Sequence, residues 1–577
     1  MDHYYTSEKN IQCLIYLMKQ HGIKKVIASP GTTNITLVAS LQQDPFFEMY
    51  SVVDERSAAY MACGLAAESG EPVAISCTGA TASRNYLPGL TEAYYRKLPV
   101  LAITSSQPTG RVGQMVPQVL DRSIIPNDVA VMSVDIPCIT SEEDAWACNV
   151  KLNAALLALQ HRGGGPVHIN LQTLYSKDFS IKTLPKVREI QRVDFGDELP
   201  EIRHRRVGIF VGAHCKWTQK LTEAVDRFCE KYNGVVICDH TSNYHGKYRV
   251  LFSLITSQRY LRTDLNQMEL LIDIGTISGA YMKLNPREVW RVSPDGKIQD
   301  RFRKLTYMFD MEEECFFEQY SKSAANKQNN KYFEECKKQY ISLYEKIPEL
   351  PFSNLWVAKN TAKMLPENSV VHFAILNSLR SWNYFEIPDS ITCYSNTGGF
   401  GIDGFISTLM GACLADPQKL HFGIVGDLAF FYDLNAVANR NLKSNMRILL
   451  INNGGGQEFR NYNNLAAPLG EEANRYIAAA GHNGNKSGTL VKNYTEALGF
   501  EYLCASNKME FIGCLERFVC NEATEHPILM EVFTNSDEEN DALRMINHTI
   551  PAKPYESERI KQIAKNVLGK RVIRRVK

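Results

Sequence analysis

Two short segments carry oxygen ligands at a spacing that suits a hard cation. Gly426-Asp427 closes the β-rich run HFGIVGD and Asn452-Asn453 closes MRILLINN, with Asp427 and Asn453 separated by 26 positions. If the two runs are adjacent parallel strands, both side chains emerge at one carboxyl edge of a sheet, where open α/β sheets bind ligands. A carboxylate, an amide oxygen and backbone carbonyls suit Mg²⁺ that keeps bonds to a diphosphate better than a soft metal. Gly454-Gly455-Gly456 lets the backbone come close. Singly, Asp427 reads as a helix cap and the asparagines as turn formers; their pairing after two strands favours the site. A second candidate is Glu55, in VVDERSAAYMACGLAAESG, where a strand passes into a helix. A lone acid in a first helical turn is favoured by the macrodipole and needs no further role. Here, however, Ala58, Ala59, Ala62, Cys63, Ala66 and Ala67 imply a closely packed helix, and a glutamate entering such a place needs a partner, for which a cofactor nitrogen serves. A rival pattern is Gly399-Phe400-Gly401-Ile402-Asp403-Gly404, a G-x-G-x-x-G with Asp427 standing 23 residues beyond Gly404. It reads as a dinucleotide fingerprint of an NAD-dependent dehydrogenase, but leaves Asn452-Asn453 and Glu55 without a role.

These residues need sheets to carry them. Residues 21–105 alternate KKVIAS, NITLVASLQQ, MYSVV, a helix from Arg56 to Glu68, PVAIS, a further helix and PVLAIT, the βαβ rhythm of a parallel sheet covered by helices. VGIFVGA, LTEAVDRFCEKY, GVVICD and LLIDIG form a second block, and a polar stretch from about Lys322 to Lys346 reads as a linker helix. The third block repeats the rhythm with VVHFAI, ITCYSN, HFGIVGD, MRILLINN, FEYLCAS and HPILMEVF. The expectation is α/β throughout, with three domains of parallel sheets flanked by helices at 1–185, 200–345 and 350–545, then a basic tail, 546–577, read as a solvated helix.

With 577 residues, 44% of them hydrophobic, and 64 Lys+Arg against 63 Asp+Glu, the net charge is only +1. That excludes the strongly basic footprint of a protein working on nucleic acid or an anionic membrane and favours small-molecule ligands. The 15 cysteines are scattered without zinc spacing and read as reduced thiols. With no secretory n- and h-regions at MDHYYTSEKN and no long apolar run, a cytoplasmic location is expected.

Taken together, Gly426-Asp427, Asn452-Asn453 and Glu55 resemble the motifs of the thiamine diphosphate-dependent decarboxylase and carboligase family. The resemblance covers nearly the whole chain and implies that fold, with pyrimidine, central and diphosphate domains in that order. It implies an enzyme that decarboxylates a 2-oxo acid to a cofactor-bound carbanion or enamine and transfers it to an acceptor. Asp427, Asn453 and the carbonyl of Gly455 then hold Mg²⁺ on the cofactor's diphosphate; Glu55 activates the aminopyrimidine; Ile402 wedges the cofactor into its bent shape. Ser378, Gly426 and Leu428 complete the cofactor site. Because Glu55 and the metal motif fall on different domains, the family arrangement also implies a homodimer or homotetramer with the active site at a subunit interface.

Within the family, SPGTTN, CTGATASRNYLPGLTEA, PQVLDR, NSL, YSNTGGFGIDG, GDLAFFYDLNAV and NNGGGQEF look like segments of the menaquinone-pathway synthases, which join a 2-oxoglutarate-derived carbanion to isochorismate. The resemblance places Thr32, Thr33, Gln118, Trp382, Thr397, Glu458, Phe459 and His482 around the substrate. At three of these positions, Thr33, Trp382 and Thr397, the synthases carry arginines that clamp carboxylates, and Glu458 stands where they have an aliphatic residue. Losing three bidentate clamps implies a different substrate pair, with Arg380 or Arg84 as neighbouring substitutes. A catalytically silent cofactor-binding scaffold is the further alternative, opposed by the retained glutamate and metal positions.

Overall fold

The computed structural model describes residues 4–214, 217–322, 330–482, 487–522 and 524–552. It contains three parallel sheets flanked by helices, and the chain divides into two compact units. The first comprises residues 1–199 and Pro294–Asp310; the second comprises Pro200–Ser293 and the residues from Met311 onward. Pro294–Asp310 is thus grouped with the amino-terminal residues.

The first unit is built on six parallel strands in the order Glu48–Ser51, Lys25–Ala28, Val73–Thr78, Val100–Ser106, Val167–Gln172, Met132–Ile136. Alternation along the strands divides the apolar side chains between two faces. Val26, Ala74, Leu101 and Ile103 join a core with the helix Lys9–Gln20. Ile27, Val73, Ile75, Cys77 and Ala102 join another with the helix Glu55–Ser69. That second helix is closely packed, as its alanines imply. Ala58, Ala59, Ala62 and Ala66 are all buried, and a Cβ added at Gly89 of the helix Leu87–Tyr95 would lie 2.4 Å from the Ala59 Cβ and 2.9 Å from its carbonyl carbon. Asp54 caps the helix by accepting from Arg56 N and Ser57 N, so Glu55 is its first residue.

In the second unit, five parallel strands run in the order Arg249–Leu251, Gly234–Cys238, Val207–Val211, Leu270–Ile274, Glu288–Val292. A six-stranded sheet runs Thr392–Ser395, Val370–Phe373, His421–Gly426, Met446–Asn452, Ile528–Phe533, Glu501–Ala505. His421–Gly426 and Met446–Asn452 are direct neighbours, with Gly426 opposite Ile451, so the two motifs do share one carboxyl edge. The segment between them, expected as one helix, breaks into a short helix Asp427–Tyr432 and a 3-10 turn Leu434–Ala438. The polar stretch after 322 forms the helix Lys331–Glu345; residues 323–329 and the tail from 553 to 577 lie outside the described residues.

The dinucleotide fingerprint fails on topology. The Gly399–Gly404 turn follows Thr392–Ser395, the edge strand, whereas Asp427 follows His421–Gly426, and Val370–Phe373 lies between the two. A dinucleotide acid belongs on the strand next to the glycine-rich turn. The cysteines among the described residues are all free thiols, and no helix among those residues is long and apolar enough to cross a membrane.

The Gly89 contact sets how closely the Glu55 helix can lie to its neighbour. Gly89→Val is expected to destabilise the protein by about 1–3 kcal/mol through overpacking, read as a lower denaturant midpoint at unchanged slope; an unchanged midpoint would show that the helices separate freely.

Candidate active site

Asp427 ends the strand His421–Gly426 as the first residue of a short helix, and only 5% of it is exposed. Its Oδ1 accepts from Leu428 N and its Oδ2 from Gly454 N, both at 2.8 Å. Burial dominates these hydrogen bonds and pushes its carboxyl up to about 6. Among the described residues Asp427 forms no ion pair. The adjacent asparagines divide their tasks. Asn452 Nδ2 donates to Glu531 Oε1 at 2.7 Å, and Tyr502 OH donates to Glu531 Oε2 at 2.7 Å, which fixes the strand end. Asn453 Oδ1 is buried with no hydrogen-bond partner. Leaving such an acceptor unsatisfied costs about 1–3 kcal/mol. A hard divalent cation between Asp427 and Asn453 offsets both costs, so the donor set fits the metal that the spacing implied. Gly454 has φ +83°, and a Cβ at Gly455 would lie 2.9 Å from Ala478 O, so the turn that presents the Gly455 carbonyl tolerates no side chain there.

Around this edge stand the other expected cofactor residues. Ser378 is buried in the short helix Asn377–Trp382. Gly426 precedes the Asp427 helix as its cap, and Leu428 gives its N–H to Asp427. Ile402 is half-buried against the core that includes Phe405, Leu409 and Phe430. Sequence reasoning missed Glu531, whose only signal was a carboxylate interrupting the apolar run ILMEVF. It also missed Glu539, which accepts from Thr534 Oγ1 at 2.6 Å and Asn354 N at 2.9 Å and whose carboxyl burial pushes up to about 7.

A cavity of about 180 Å³ opens within the second unit, lined by Tyr281, Lys283, Asn377, Arg380, Tyr384 and Glu458 among others. Arg380 Nη1 donates to Glu458 Oε1 at 2.7 Å. With its amide oriented to satisfy both groups, Asn377 donates to Glu458 Oε2 at 3.0 Å and accepts from Glu458 N at 2.9 Å. The substrate residues expected nearby are placed unevenly. Trp382 needs correction: its side chain is fully buried, its indole packs on Phe373 with ring centroids 5.7 Å apart, and its Nε1 points to Asn354 Oδ1 at 3.4 Å. The cavity instead receives Arg380 and Ser381 from that helix. Thr397 is buried, Phe459 and His482 are exposed, and residues 483–486 of the loop lie outside the described residues.

In the first unit, Glu55 is half-buried and accepts from Asn85 Nδ2 at 3.3 Å. Thr33 is buried and its Oγ1 donates to Ser105 O at 2.5 Å, while Thr32 and Gln118 are exposed. Gln118 has φ +64°, a sparsely populated conformation for a residue with a side chain. Arg84 donates to Asp121 O at 2.9 Å, so it braces the loop of residues 107–123.

The N-terminal TPP-binding domain of the thiamine pyrophosphate enzymes matches residues 9–125. Over nearly its full length the chain is similar to 2-succinyl-5-enolpyruvyl-6-hydroxy-3-cyclohexene-1-carboxylate synthases. It is 33% identical over 583 residues to that of Bacteroides thetaiotaomicron, covering 95% of this chain and 100% of the relative. With the Phocaeicola vulgatus synthase the identity is 31% over 589 residues at the same coverage, and with the Flavobacterium johnsoniae synthase 28% over 565 residues, covering 92% and 97%.

The raised Asp427 carboxyl sets a pH dependence. A folded-state value above the unfolded one contributes stability that is complete below about pH 4 and lost as pH rises through about 6, on the order of 3 kcal/mol. Asp427→Asn is expected to flatten this part of the stability profile of the cofactor-free protein and to abolish stabilisation by Mg²⁺ with thiamine diphosphate. Denaturant titrations from pH 4 to 8 read the first and thermal shifts the second; a variant with the wild-type slope would show that Asp427 ionises at no cost.

Proposed function

The chain belongs to the thiamine pyrophosphate enzymes, as a carboligase that decarboxylates a 2-oxo acid and transfers the product to an acceptor, and on this premise we propose that it uses Mg²⁺ and acts on a substrate pair different from its relatives'. The observation that carries the metal assignment is the buried Asp427 carboxylate beside the unpartnered Asn453 oxygen. Asp427, Asn453 and the Gly455 carbonyl would hold the ion, and Ser378, Gly426 and Leu428 would line the diphosphate. Ile402 would pack against the cofactor. When bound, the cofactor supplies a nucleophilic carbon and an electron sink for decarboxylation. Glu55 would hold a proton at its carboxylate against the cofactor's aminopyrimidine.

The substrate reading rests on the cavity beside Glu458. Arg380 is a cation already held by a carboxylate there, so an incoming anionic group must displace Glu458, and a group with hydrogen-bond donors satisfies Glu458 in turn. A 2-oxo acid that carries both kinds of group suits this pair better than 2-oxoglutarate, which offers carboxylates alone. Thr32, Thr33, Gln118, Thr397, Phe459 and His482 serve as lesser substrate contacts. Two copies of the chain, or a pair of such dimers, complete the enzyme, with the Glu55 edge of one copy serving the Asp427 edge of another. Exposed Val53, Tyr60, Met61 and Tyr95 around the Glu55 helix support this. The free thiols support a cytoplasmic location.

Glu55→Gln is expected to lower kcat by about 10²–10⁴-fold while Mg²⁺ and thiamine diphosphate still raise the Tm; wild-type turnover in this variant would sink the mechanism, and stabilisation by NAD alone would sink the cofactor assignment. For the substrate, Arg380→Gln is expected to raise KM for the donor acid by about tenfold or more, since a hydrogen bond to a charged group is lost, whereas Glu458→Gln releases Arg380 and improves turnover of plain dicarboxylic 2-oxo acids. Equal KM values in all three proteins would place the substrate elsewhere.

A further inference from the structure

Parallel sheets are covered on both faces and read as nearly continuous apolar strands. The strand Val167–Gln172 of the first unit departs from this. Val167, Ile169 and Leu171 enter the core, while His168, Asn170 and Gln172 form a polar row on the other face, all buried. Register extends the row sideways. Ser133 lies beside His168, Asp135 and Thr104 beside Asn170, and Ser106 beside Gln172. The row is tightly bonded. His168 holds Thr104 Oγ1 at 2.7 Å and Ser133 Oγ at 2.9 Å; Asp135 accepts from Asn170 at 2.7 Å through one oxygen and from Gln172 at 2.8 Å through the other. Burial, with a smaller contribution from the Arg122 charge, lowers the His168 pKa to about 3 and keeps the ring neutral.

Onto this row the loop of residues 107–123 places Arg122, only 4% exposed. Its Nη2 donates to Asn170 Oδ1, and its guanidinium sits against Gly79, where any Cβ would overlap it. Its Nε and Nη1 are buried with no partner. The nearby acids act on it only through space, Asp135 favourably, and do not pair with it directly. Asp135 spends both oxygens on amides, Asp121 accepts from Ser123 N at 2.9 Å and Ser123 Oγ at 2.6 Å, and among the described residues Arg122 forms no ion pair. Burial lowers its pKa only to about 10, so it stays charged at neutral pH. A cavity of about 430 Å³ adjoins it, lined by Gln107, Thr109, Arg122, Ser123, Ser133 and Asn170 among others. A desolvated guanidinium with no directly paired carboxylate and two unpartnered nitrogens is costly, and an anion entering from the cavity offsets that cost.

We infer that this cavity is a binding site for a small oxyanion, a carboxylate or a phosphate group of a metabolite, with Arg122 as its anchor and the Thr109 hydroxyl, which accepts from Gln172 and keeps its own proton to give, as an accessory donor. The ligand belongs to a class that a planar fork recognises, two oxygens on one centre. Its two sources are the carboxylate of a 2-oxo acid and a phosphate ester, represented by pyruvate and inorganic phosphate.

The test uses the full-length protein in low-chloride buffer, titrated with each probe by calorimetry and by thermal shift, beside Arg122→Gln and Arg122→Lys. Wild type is expected to bind one or both probes and to gain Tm with their concentration. Binding of pyruvate alone assigns the carboxylate source and binding of phosphate alone the phosphate source. Arg122→Gln is expected to weaken binding by at least ~10-fold and, without anions, to melt no lower than wild type, because it removes an uncompensated buried charge. A purely structural arginine requires the reverse, a lower Tm with the anion Kd unchanged, and that result would overturn the inference. So would a wild type indifferent to both probes. Should Arg122→Gln fail to fold, Arg122→Lys decides: it keeps the charge without the fork, and weakened binding is expected where equal affinity would overturn the site.

Discussion

The carboxylate of Asp427 is buried without a cation of its own, and the surrounding structure maintains that imbalance. Its two backbone donors, Leu428 N and Gly454 N, orient the oxygens without neutralising them. The adjacent pairing of His421–Gly426 and Met446–Asn452 brings Asn453 to the same edge, and the Glu531–Tyr502 pair holds the strand end by way of Asn452. Each element supplies rigidity while leaving the charge to be completed from outside. A flexible loop carrying the same residues would relax its carboxylate into water and bind a cation more weakly, because the ordering cost would fall at the moment of binding.

Not every buried charge of the second unit is left open in this way. Arg291, nearly buried, donates to the carbonyls of Asp273 and Gly275 and lies 3.7 Å from the Asp273 carboxylate. That charge is closed within the chain. Asp427 in the second unit and Arg122 in the first are the opposite case, one anionic and one cationic, each with hydrogen bonds that fix its position but no ion pair. A chain with nearly equal numbers of acids and bases has the residues to pair both, so the two open charges reflect local placement and not a shortage of counterions.

How much was legible follows from the same distinction. Strand and helix positions of the first and third sheets came through because parallel strands announce themselves as short β-branched runs between amphipathic helices, and the carboxyl-edge rule turned Asp427 and Asn453 into neighbours before any coordinates. The break after Tyr432 is invisible in the sequence, since FYDLNAVANRNLKS keeps helical composition across Asp433; in the structure that carboxylate accepts from Ser407 N and Oγ, which ties it back to the preceding helix, Phe405–Ala415. Arg122 stands within PQVLDR without any local signal of a site, because its lack of a direct ion pair depends on which groups occupy Asp135 and Asp121. The polar alternation of His168, Asn170 and Gln172 was the available signal, a period-2 pattern inside a strand that burial alone would have made apolar on both faces.

The substrate positions show why a lost charge cannot be read as an empty place. Trp382 and Arg380 are two apart on one short helix, so they face different sides. Burying the indole against Phe373 fixes the helix rotation, and with Ser378 and Leu379 also buried, Arg380 is the charged residue turned to the cavity, beside Asn377 and Ser381. An aromatic anchor at position 382 therefore has a directional consequence: the helix presents its charge from Arg380, where Glu458 already engages it. Trp382 and Glu458 thus act on the same arginine, one by setting the helix rotation and the other by pairing with it. An arginine freed by rotation would sit as an open charge at the cavity wall, and the glutamate closes it until a substrate with the right polarity takes its place.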